Sequence, residues 1–135
     1  ETAAMDEVVA KLGRQALRLP VSVPFHSSML RAAGERFAAD LAAVELRDPA
    51  FPIVCNVDAA PLTDAAAVRD ALERQFAGSV LWQQSIECLL ADGHRRFVEF
   101  GPKPTLSRMV AQIAGPLEVE VESLAVTRPE DLTAL

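Results

Sequence analysis

The sequence predicts an α/β fold with parallel strands. Three observations carry this. Short β-rich runs such as "IVCNVD" and "RRFVEFGP" alternate along the chain with stretches of helical periodicity. The run "LEVEVESLAV" alternates apolar and acidic residues, the pattern of a half-exposed strand. Strand–helix–strand order is the order that builds parallel βαβ units.

Each element follows from its residues. Met5, Val8, Val9 and Leu12 share one face of a first helix, which Gly13 stops. "QALRLPVSV" reads as a strand, with Pro20 marking an edge or an end. His26 follows, and Ser27 and Ser28 are suited to cap the next helix. That helix carries Leu30, Ala33, Phe37, Leu41 and Val44 at three- and four-residue spacing. "RDPAFP" breaks it. "IVCNVD" is nearly continuously apolar, which predicts a strand covered on both faces. Asn56 follows, its side chain suited to tie the loop to its own backbone. Asp64 or Thr63 caps a helix bearing Val68, Leu72, Gln75 and Phe76, and Gly78 and Ser79 end it. A further helix from about Gln83 turns Ile86, Leu89 and Leu90 inward and stops at Gly93. After the strand "RRFVEFGP", a short helix places Leu106, Met109, Val110 and Ile113 inward. "LEVEVESLAV" is the last strand, and "TRPEDLTAL" is suited to a final short helix.

With 135 residues, one domain or a large piece of one is expected. The net charge of −6 argues against nucleic acid as a partner, because phosphates would repel the chain. No apolar run is long enough to span a bilayer, and no signal-peptide pattern opens the sequence. The chain starts in helical sequence without an initiator Met, which points to a terminus made by cutting or by design. Cys55 and Cys88 sit in apolar runs without metal-ligand spacing, so they read as buried free thiols, compatible with a cytoplasmic protein.

His26 is one of two histidines. Its setting admits two readings, a working base or a structural residue at a loop corner. His94 follows a helix stop, where a cation faces the helix C-terminus favourably, and it has no catalytic role. Ser27 and Ser28 are poor nucleophile candidates, because no elbow glycines flank them.

The stretch "LPVSVPFHSSML" resembles the segment around the catalytic histidine of malonyl-CoA:acyl carrier protein transacylases. Three later landmarks are similar in order and spacing: "PIVCNVDAAPLTD", "VRDALERQFAGSVLWQQSI" and "RFVEFGPKPTLSRM". The resemblance runs from about Leu17 to Met109. "GPKP" departs from the family's usual G-P-G-[KR], so the turn there has to avoid positive φ.

The resemblance implies an α/β-hydrolase-like core with a ferredoxin-like small subdomain. Residues 1–20 would be the last helix and strand of that subdomain, and residues 21–135 the C-terminal part of the acyltransferase core. It implies malonyl transfer from coenzyme A to the thiol of an acyl carrier protein through an acyl-serine, with no metal or tightly held cofactor. His26 would be the general acid/base, oriented by the backbone carbonyl of Gln75. Phe25 would line the acyl pocket and disfavour an α-methyl, although plain core packing is the competing reading. No G-x-S-x-G elbow occurs in this sequence, so an N-terminal segment outside the chain would supply the serine. Arg14, Arg18, Arg31 and Arg36 are candidates for a carrier-protein docking patch, against a plain solvated face. The alternatives are a non-catalytic scaffold fragment of the same fold and an acyl hydrolase. Fatty acid, polyketide and malonate-using pathways all remain open.

Overall fold

The computed structural model describes residues 2–13, 16 and 21–134. The expected strand through Leu17–Pro20 and the arginines Arg14 and Arg18 lie outside these residues. The order is α1 (Thr2–Leu12), α2 (Arg31–Ala42), β1 (Ile53–Val54), β2 (Pro61–Leu62), α3 (Ala65–Gln75), α4 (Trp82–Ala91), β3 (Arg96–Phe100), α5 (Leu106–Ala114) and β4 (Glu122–Val126). Short 3₁₀ turns cover Ser28–Leu30, Gly115–Leu117 and Pro129–Ala134. No helix among the described residues is long and apolar enough to cross a membrane.

The mixed α/β class holds. β3 and β4 pair in parallel, in register from Arg96 opposite Glu122 to Phe100 opposite Val126. The Arg96–Glu122 pair also forms an ion pair across the strands at 3.0 Å. The expectation for "IVCNVD" is corrected. Two of its residues form β1, which pairs antiparallel with β2, and Ile53 is 37% exposed. The ladder is short because Pro61 has no N–H to donate and the chain reverses between the strands, with Ala59 at φ +52°. Asn56 is held through its main-chain oxygen, which accepts from the Leu81 N–H at 2.8 Å.

The core lies where α4 and α5 pack on the parallel strands. Ile86, Leu90, Val110 and Ala114 are buried, with Trp82, Phe97 and Ile113 packed against them. On α5 Val110 is buried and Ile113 packs on the core as the spacing indicates; Ser107 and Ala114 are buried as well, while Leu106 is 42% and Met109 36% exposed. Glu99 of β3 meets the start of this helix. Its carboxylate accepts from the N–H groups of Thr105 (3.2 Å), Leu106 (3.0 Å) and Ser107 (2.9 Å), satisfying donors at the start of α5.

These main-chain donors, Ser107 first, hold the Glu99 carboxyl below the usual carboxylate range. Hydrogen bonds from the Thr127 N–H and hydroxyl do the same for Asp131. A carboxyl with a depressed folded pKa adds stability above its unfolded value, near pH 4, and loses it as pH falls through the folded value. Acid titration of stability should therefore fall below about pH 4–5, and Glu99→Gln should flatten that limb. Urea unfolding at pH 3, 5 and 7 measures both.

α2 and α3 pack through a Phe37–Phe76 ring stack with centroids 5.2 Å apart. Arg69 on α3 reaches back to the carbonyls of Leu41 and Val44, closing the C-terminal end of α2. Gly34 lies under Phe76, and a Cβ there would meet the ring at 3.5–3.7 Å, ordinary contact. Gly34→Ala should stabilise the protein by about 0.5–1 kcal/mol through reduced backbone entropy of the unfolded chain. Thermal melts should show a rise of a few degrees, about 2–4 °C per kcal/mol.

Candidate active site

The loop before α2 gives His26 its position. The Phe25 N–H bonds to the Val23 carbonyl at 2.8 Å, and His26 then takes φ +57°. Left-handed backbone is uncommon outside glycine, and histidine is among the residues that enter it more readily. Such strain persists only where the surroundings over-determine it. Two contacts supply that here. The Ser27 hydroxyl donates back to the Pro24 carbonyl at 2.8 Å, closing the turn. The His26 Nδ1 lies 3.3 Å from the Gln75 carbonyl oxygen.

The Ser27 bond corrects the capping expectation. Ser27 stands at the cap position of the first turn with extended backbone, but its hydroxyl makes no bond to the helix N–H groups. The left-handed turn at His26 aims it at Pro24 instead. Its main-chain oxygen accepts from the Leu30 N–H at 3.0 Å.

The Gln75 carbonyl is available because it belongs to the last turn of α3, whose carbonyls run out of intrahelical donors. A carbonyl can only accept, so the bond needs the proton on Nδ1, and in the neutral imidazole the lone pair then lies on Nε2. His26 is exposed.

The α3 terminus is itself anchored. Asp64 caps the start by accepting from the Ala67 N–H at 2.8 Å, as the sequence indicates, and Asp48 accepts from Ala65 at 2.8 Å. At the far end Arg74 donates to Asp58 at 2.8 and 2.5 Å in a two-pronged pair, and to Asp70 at 2.7 Å. The Arg74 hydrogen bond holds the Asp58 carboxyl below its usual range, and both aspartates raise the guanidinium's affinity for its proton. Gly78 fits closely, since a Cβ there would come within 2.8 Å of the Arg74 carbonyl and 3.0 Å of Val57 Cγ2. Arg74, Asp58 and Gly78 support the site, and none of them is among the expected site residues. The four-residue spacing of Asp70 and Arg74 was a visible signal, whereas the Asp58 contact spans 16 residues and had none. Burial, with the Asp58 charge beside it, raises the Cys55 thiol's pKa against the opposing pull of Arg74.

The structure brings His26 and Gln75 together. Phe25 is adjacent and 61% exposed. It does not line the ~200 Å³ cavity, which opens between β1, β3, α4 and α5. Arg31 and Arg36 are exposed on α2. His94 stands at the C-terminal end of α4, its N–H bonded to the Leu89 carbonyl and its ring 3.3 Å from Asp92.

No family model matches the chain. Curated relatives do. The malonyl CoA-acyl carrier protein transacylase of Salmonella typhimurium is 38% identical over 121 residues, covering 90% of this chain. The chain spans 38% of that relative's length. Among solved structures, MCAT from Mycobacterium tuberculosis superposes with a TM-score of 0.87 at 29% identity, covering 99% of this chain and 44% of its own. A malonyl-transacylase solved in complex with its type II PKS acyl-carrier protein gives a TM-score of 0.83 at 29% identity, covering 98% of this chain and 42% of its own.

Proposed function

This chain is a homologue of malonyl CoA-acyl carrier protein transacylases along most of its length, and on that premise we propose that it carries the general acid/base of a malonyl transfer. The observation that carries the reading is the Nδ1–Gln75 bond, which in the neutral imidazole of an exposed, left-handed His26 leaves the lone pair on Nε2.

A serine on the portion of the enzyme outside this chain attacks the malonyl thioester carbon of malonyl-CoA. His26 Nε2 takes the hydroxyl proton during attack, and the imidazolium returns it to the departing coenzyme A thiolate. In the second half the carrier-protein thiol gives its proton to Nε2 and attacks the serine ester. Nε2 then protonates the serine oxygen, and the resting state is restored. The Gln75 carbonyl keeps the tautomer through both halves, and because it is neutral it orients the ring without the pull of a buried carboxylate. Phe25 faces the acyl group and crowds an α-methyl, a discrimination of about 1–3 kcal/mol. Arg31 and Arg36 belong to the surface that meets the acidic carrier.

In this reading residues 21–135 are the C-terminal part of a hydrolase-like core, and residues 1–20 the end of a ferredoxin-like subdomain. Transfer would take place in the cytoplasm. The test is to mix the chain with the remaining portion of a transacylase and malonyl-CoA, then weigh the serine-bearing polypeptide. A malonyl adduct that moves to added carrier protein supports transfer. An adduct that drains to water points to a hydrolase, and no adduct under any condition points to a scaffold.

A further inference from the structure

The turn between β1 and β2 grips the chain leaving α3 at three points. The Asn56 main-chain oxygen accepts from the Leu81 N–H at 2.8 Å. Val57 closes on Gly78, where a Cβ would stand 3.0 Å from Val57 Cγ2. The Asp58 carboxylate takes both prongs of the Arg74 guanidinium, at 2.8 and 2.5 Å. Consecutive residues of the turn thus hold Leu81, Gly78 and Arg74, and Gln75 lies inside the gripped segment. The turn is itself fixed, because the Ala59 N–H bonds to the Cys55 carbonyl at 3.0 Å. On the helix side Arg74 Nε donates to Asp70 at 2.7 Å, and the Arg74 carbonyl accepts from the Gly78 N–H at 3.0 Å.

The side chains of Arg74 and Asp58 are 44% and 34% exposed, and an ion pair so open to water adds little to stability. What its two parallel bonds add is a fixed distance and angle. The Gln75 carbonyl is one peptide unit from that fixed point, and it is the group that meets His26 Nδ1 at 3.3 Å. Which ring nitrogen carries the proton is set by the bond the other makes. An unconstrained neutral imidazole favours the proton on Nε2, where no lone pair would then be left to act as a base.

We propose that Asn56, Val57 and Asp58, with Arg74 as their partner on α3, form a positioning element that holds the Gln75 carbonyl where it keeps the His26 proton on Nδ1. The inference rests on the transacylase reading above for its link to rate, and it adds what sets the tautomer of the base. Arg74 and Asp58 act through the carbonyl and not on the acyl group.

Imidazole ¹⁵N spectra of the histidine-labelled chain read the tautomer directly, and His94→Gln assigns the signals between the two histidines. In the parent the neutral His26 ring should carry its proton on Nδ1. Asp58→Asn keeps the shape with one acceptor oxygen, and Arg74→Lys keeps the charge without the fork, so both should fold as the parent does. Each should move most of the neutral ring to the Nε2–H form. With the remaining portion of a transacylase present, each should lower the maximal rate of malonyl loading tenfold or more and leave KM for malonyl-CoA within twofold. The double variant should do no worse than the more damaged single, because one clamp is lost only once. Asp131→Ala removes bonds to Thr127 and Arg128 instead, and it should lower stability while leaving the tautomer as in the parent. The proposal is overturned if the parent ring carries its proton on Nε2, if Asp58→Asn and Arg74→Lys keep the parent's tautomer, if the tautomer shifts while loading runs at the parent's rate, or if Asp131→Ala shifts it as far. The two readings separate in the same samples. A tautomer that follows the clamp without acyl-serine in any mixture sinks malonyl transfer and leaves the positioning element standing, and acyl-serine with a tautomer indifferent to the clamp does the reverse.

Discussion

His26→Ala should slow malonyl loading of the serine by about 10²–10⁴-fold, the range for removal of a positioned general base. The comparison is made with the remaining portion of a transacylase present, by quenching the reaction at timed intervals and weighing the acylated polypeptide. Alanine also meets the φ of +57° at this position, a conformation unfavourable to it. His26→Asn separates the two effects, because asparagine enters left-handed backbone readily but is no base. Asparagine should preserve stability close to the parent's and lose loading as alanine does. Loading within a few-fold of the parent in both variants would mean that the imidazole does no proton transfer.

Gly78→Ala tests the other half of the pair. The added Cβ would stand 2.8 Å from the Arg74 carbonyl and 3.0 Å from Val57 Cγ2, and the first of these is main chain. The turn that ends α3 therefore has to move, and the Gln75 carbonyl moves with it. Overpacking of this kind costs about 1–3 kcal/mol, read from urea unfolding. Misplacement of the carbonyl by a fraction of an ångström to an ångström should cost about 10–100-fold in loading. Gln75→Ala, which keeps the carbonyl in place, should load within about twofold of the parent. A Gln75→Ala defect as large as that of Gly78→Ala would assign the work to the side chain and overturn the main-chain role.

Much of the local structure was written in the residues. Asp64 stands where a helix cap has to accept, and it caps α3. Gly13 and Gly93 end helices at φ +53° and +91°, backbone that glycine adopts without steric cost. Ile86 and Leu90 repeat at four residues and are buried together. These are short-range effects, decided by a side chain and its own turn of backbone.

Contacts between distant segments were another matter. His26 and Gln75 lie 49 residues apart, and no spacing rule joins them; the pairing was expected only through the family resemblance. Glu99 of β3 meets the N–H groups of Thr105, Leu106 and Ser107, a link between strand and helix that periodicity does not show. "IVCNVD" has the composition of a fully covered strand, yet two of its residues pair in a short antiparallel ladder beside an open slot. Composition and periodicity state what a segment can bury, and by themselves they set the class and the helix limits. Which carbonyl meets the imidazole and which carboxylate meets the start of α5 depend on groups brought together only when the chain closes on itself. Only the tertiary structure decides those.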